Sequence, residues 1–72
     1  GKDLNQALAW FDKAVEAQPT AFWIHHQRAN CLAKLGKKAE AKMAAEKSKD
    51  LATTAKNDDY VKLNEKLLAE LK

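Results

Sequence analysis

Residues 7–19 read Ala-Leu-Ala-Trp-Phe-Asp-Lys-Ala-Val-Glu-Ala-Gln-Pro, and residues 41–53 read Ala-Lys-Met-Ala-Ala-Glu-Lys-Ser-Lys-Asp-Leu-Ala-Thr. Laid over each other at an offset of 34, they set Ala7 on Ala41, Phe11 on Ala45, Ala14 on Ser48 and Ala17 on Leu51. Each of these pairs is apolar or small on both sides; Pro19 on Thr53 breaks the run. Self-similarity at such a period marks a chain that stacks one supersecondary unit on the next.

Punctuation along the chain is sparse: Pro19-Thr20, Gly36 and Asn57-Asp58. It cuts the chain into four helical segments, near Asp3–Gln18, Ala21–Leu35, Lys38–Lys56 and Asp59–Leu71. In the first, Leu4, Leu8, Phe11 and Val15 recur on one helical stripe, and Asp3 with Gln6 has capping-box spacing. Thr20 is the expected N-cap of the second, Phe22, His25, Ala29, Leu32 and Leu35 its stripe, and Gly36 its C′ residue. The third presents a narrow seam of Ala41, Ala44, Ala45, Ser48, Leu51, Ala52 and Ala55. In the fourth, Asn57 suits a C′ turn, Asp58 an N-cap, and Tyr60, Leu63, Leu67 and Leu71 form the stripe. Asp58–Lys62 and Lys66–Glu70 have ion-pair spacing along it. Second and fourth segments align best at an offset of 36, with Leu32 on Leu68 and Leu35 on Leu71. Four helices on short connections predict antiparallel neighbours, and Pro19 and Gly36 exclude one long coiled coil.

Composition agrees. The chain has 72 residues, 46% hydrophobic and 32% charged, with two Gly and one Pro. Fourteen Ala and nine Leu supply helix-forming vocabulary and an all-α class. That length excludes doubly wound sheets, TIM barrels and two-domain enzymes. Net charge is +3, concentrated in the lysines at 34, 37, 38, 42, 47 and 49. No aromatic or Arg is interleaved with them, so they read as a solvated face, with no nucleic acid expected. No apolar run approaches a membrane span. Cys31 is alone, which rules out an internal disulfide.

The chain resembles the tetratricopeptide repeat (TPR) family. Ala7-x3-Phe11-x2-Ala14-x4-Pro19 looks like the second helix of such a repeat and its closing proline. Phe22 to Gly36 followed by Ala41, Ala45 and Ser48 resembles the next full repeat. Three features depart from the family pattern: His25 at its tryptophan position, Arg28 at its leucine position, and Lys37-Lys38 for its Asp-Tyr pair. The resemblance implies an α-α superhelix fragment: half a repeat, one full repeat and a capping helix. It implies one TPR-like domain over residues 1–72, the C-terminal part of a longer protein. A looser likeness, over Leu4–Trp10 and Asn57–Asn64, is to the C-terminal helical tail of a bacterial secreted family of unknown function. It implies a β-rich upstream domain and a periplasmic or secreted location.

Candidate chemistry is thin. His25 and His26 point about 100° apart on one helix and have no carboxylate one turn on, so no metal site is expected. Asp58 and Asp59 are explained by capping, Cys31 by packing, and no phosphate loop exists. His25 is expected at the core edge and His26 in solvent. No cofactor and no catalytic residue is assigned, and the chain is not expected to be an enzyme. The resemblance puts first helices on a concave groove. On the second segment Trp23, His26, Gln27, Asn30 and Lys34 share one face and are the expected partner-binding residues. The expected function is protein–protein contact. The alternatives are an appendage that packs on its own parent protein, a homodimer, and anion attachment through the Lys face.

Overall fold

The computed structural model describes residues 3–71, in four helices: α1 (Leu4–Ala17), α2 (Phe22–Lys34), α3 (Lys38–Thr54) and α4 (Asp58–Glu70). Each start and stop has a local cause. The Asp3 carboxylate accepts the N–H groups of Asn5 at 2.9 Å and Gln6 at 3.3 Å, satisfying two of the orphan donors of α1. After Pro19 the chain turns through a bond from Ala21 N–H to the Gln18 carbonyl, 3.1 Å. Ala21, 2% exposed, is the N-cap of α2 in place of the expected Thr20. Thr20 lies exposed in the turn one position too early, so α2 starts without a side-chain cap.

Two helix ends share one motif. After α2, Gly36 at φ +81° lets its own N–H reach the Ala33 carbonyl (3.1 Å) and Lys37 N–H the Leu32 carbonyl (2.9 Å). After α3 the same pair of bonds runs from Lys56 to Thr53 (3.0 Å) and from Asn57 to Ala52 (2.8 Å). Both are Schellman turns, which need a left-handed C′ residue. In the second that residue is Lys56, at φ +60°, and not the expected Asn57. Asn57 sits one place later and is the N-cap of α4, its side chain accepting Tyr60 N–H at 3.2 Å. Asp58, expected in that role, is the first residue of the helix.

The helices pack antiparallel in chain order. α3 packs against both α2 and α4, which also touch each other, while α1 leans on α2. The core joins Ala29 and Leu32 of α2, Ala41, Ala44 and Ala45 of α3, and Leu67 and Leu71 at the end of α4. Small residues on α3 allow close axes, and of its seam Ala41, Ala44, Ala45, Ser48 and Ala52 are buried, Leu51 is half-buried and Ala55 is exposed. Two stripes are rotated from expectation. In α2 the buried positions are Ile24, Ala29, Cys31 and Leu32, while Phe22, His25 and Leu35 are half-buried. In α4 Leu63 is 46% exposed, and Asn64 takes the interior place beside it. No residue of α1 is buried.

Candidate functional site

The interior of the α2–α3–α4 stack holds a polar chain. The Ser48 hydroxyl of α3 donates to the Phe22 carbonyl of α2 at 2.7 Å. Asn64 of α4 is fully buried; its Nδ2 donates to Ser48 Oγ and to the Tyr60 carbonyl, both at 2.8 Å. Its Oδ1 faces His26 Nδ1 at 2.7 Å. A carbonyl only accepts, so the bond to Tyr60 fixes which end of the amide carries hydrogens. The Asn64 oxygen therefore accepts, and His26 holds a proton on Nδ1. Neutral His26 then keeps its lone pair on Nε2. No buried side-chain polar atom among the described residues lacks a partner.

His26 is thus half-buried and clamped, not the solvent-exposed residue the sequence suggests. Its ring also meets Tyr60 edge-on at 5.6 Å, and Tyr60 meets Phe22 at 5.1 Å. His25 holds the expected edge position, with Nε2 2.9 Å from the Pro19 carbonyl, and so ties α2 back to its entry turn.

His26 also lines a cavity of about 180 Å³ between α2 and α4, with Asn30, Leu63, Lys66, Leu67 and Glu70. Of the five expected partner-binding residues, His26 and Asn30 reach this cavity. Trp23 stands outside it, 43% exposed, stacked edge-on against its neighbour Phe22 at 5.0 Å. Gln27 and Lys34 are exposed on the same helix. The α4 contribution was not read from the sequence. The 36-residue offset between the two helices was the available signal, since it makes α4 a second helix of the α2 type.

A larger and more apolar hollow, about 330 Å³, lies along α1 and is lined by Trp10, Lys13, Ala14, Ala17, Gln18 and Ile24. Trp10 is 62% exposed. Cys31 is buried, and its thiol donates to the Leu4 carbonyl at 3.2 Å. The described residues hold no group of three His, Cys, Asp or Glu placed to bind a metal. No described helix is long and apolar enough to cross a membrane. Two ion pairs tie neighbouring helices, Arg28–Asp12 at 2.6 Å and Lys49–Glu65 at 3.4 Å. The expected intrahelical pairs Asp58–Lys62 and Lys66–Glu70 do not close to that range.

Antiparallel helix pairs whose small-residue pattern returns after 34 positions define a stacked α-α repeat. Residues 10–43 match the family model described as tetratricopeptide repeat, and this match together with the four-helix architecture supports a TPR-like helical repeat. The matched span runs from within α1, through α2, into α3. Arg28, foreign to the family pattern, is accommodated by its ion pair to Asp12 at the α1–α2 contact. No curated protein and no solved structure matches the chain. The comparisons give no support to the likeness to a bacterial secreted family. Repeats of the matched family are interaction modules for protein partners and are typically non-enzymatic.

Proposed function

We propose that this chain, as one non-enzymatic TPR-like domain, binds a protein or peptide partner on the groove face of α2, with α4 as the opposite wall. The observation that carries the reading is the cavity shared by His26 and Asn30 with Leu63, Lys66 and Glu70. Leu63, 46% exposed, offers apolar area at the rim, and polar groups ring it, as at a contact surface with a desolvated centre. Trp23, Gln27 and Lys34 extend that face along α2. The test is amide chemical-shift mapping with captured partners. A partner that shifts Asn30 and Lys66, and that loses affinity on Leu63→Asp but not on substitution of the exposed α3 residue Met43 by Asp, supports the reading. Shifts confined to α1 or α3 would refute it.

A second reading has its own support. The apolar hollow beside the exposed Trp10 suits an appendage that packs on a neighbouring domain of its parent protein, or a homodimer. Trp10→Ala and Trp23→Ala, compared by light scattering and pull-down, separate the two. Loss of self-association with Trp10→Ala favours this reading, and loss of a foreign partner with Trp23→Ala favours the first.

A further inference from the structure

The cavity between α2 and α4 is lined mainly by hydrogen-bond acceptors. His26 spends its Nδ1 proton on Asn64 Oδ1, which in the neutral imidazole leaves Nε2 as a lone pair. Asn30 turns its Nδ2 back to the His26 carbonyl at 3.4 Å, so its oxygen is the end left open. The Glu70 carboxylate adds two more acceptors, and Lys66 is the one cation on the wall. No ion pair among the described residues neutralises Glu70. Leu63 and Leu67 supply apolar wall beside these groups.

From this the geometry points to a basic side chain of a partner peptide as the occupant of the cavity. Its charged head would donate to Glu70 Oε, Asn30 Oδ1 and His26 Nε2, and its methylene stem would lie on Leu63 and Leu67. Arginine fits best: its planar fork of five donors can serve several acceptors at once. A space of about 180 Å³ admits one large side chain. Lys66 opposes the incoming charge, and its long stem can swing its ammonium outward into water. A carboxylate in the same place would face three accepting side chains, His26, Asn30 and Glu70, and one donating side chain, Lys66. This assignment rests on the α2–α4 groove being the contact surface.

The test is a random peptide library panned on the full chain, with counter-selection against the Glu70→Lys variant. Enriched peptides are expected to share an Arg or Lys and to shift the amides of Asn30 and Lys66. Replacing that residue by Gln in the peptide, or making Glu70→Gln in the protein, should each weaken binding about tenfold, the loss of one charge-assisted contact. Lys66→Ala should tighten it. Enrichment of acidic residues, or weaker binding with Lys66→Ala, would overturn the assignment and leave the groove intact as a contact surface. Peptides that shift only α1 amides would overturn the groove reading and the assignment with it. All variants sit at exposed positions, and circular dichroism confirms that each is folded before binding is measured.

Discussion

α1 and α3 align residue for residue at an offset of 34, yet they have opposite fates. α3 buries Ala41, Ala44, Ala45, Ser48 and Ala52; α1 buries nothing. The difference is not amphipathicity, because the stripe from Leu4 to Val15 is the cleaner of the two. It is neighbours. α3 has α2 on one side and α4 on the other, while α1 has α2 alone. In a stacked array burial is conferred by adjacent units, so one helical pattern can be core in one place and surface in another.

That contrast can be broken hardest at its buried end. Leu32→Ala, at a fully buried site, should cost about 2–5 kcal/mol by lost transfer energy and a cavity, enough to unfold much of so small a chain. Leu8→Ala, on the half-buried stripe of α1, should cost clearly less in the same denaturant titration. Asn64→Ala should follow, at about 2–3 kcal/mol, because it leaves the His26 Nδ1 donor and the Ser48 and Tyr60 acceptors without their partner. A double-mutant cycle with His26→Ala should show strong coupling.

The turns give a smaller, two-sided test. Gly36→Ala should destabilise by about 1 kcal/mol through backbone strain alone, since the added Cβ would meet nothing within 4 Å. Lys56→Gly should do the reverse, stabilising by about 1 kcal/mol in thermal melts. The smallest effect belongs to the α1 edge. Asp12→Asn should change global stability by less than about 1 kcal/mol, because half the Asp12 side chain is in water. It should nonetheless speed amide exchange in α1 more than in α3, and exchange that rose equally in both would count against the contrast.

Much of the fold was legible in particular residues. Pro19 and Gly36 placed two boundaries, and the alanines of α3 announced a close-packed seam. Lys56 was not legible, because a left-handed C′ residue is expected to be Gly or Asn, and Asn57 stood next to it as the likelier residue by type. One wall of the α2–α4 cavity was legible. His26 and Asn30 share a face of α2, but their opposite wall on α4 depends on how α4 is rotated. That rotation puts Asn64 inside and Leu63 out, against simple hydrophobic patterning. Its cause is the bonding of Asn64 to groups 16 and 38 positions away in sequence, a match that periodicity does not encode.

Alanine offers little relief, and two helices meeting along such smooth surfaces could slide by a turn at modest cost. The amide of Asn64 works against that as a detent. It is satisfied at one setting of α4 against α2 and α3, and any slip would leave donors and acceptors dangling in a dry interior. A single carboxamide thereby sets the pitch at which α4 is presented beside α2.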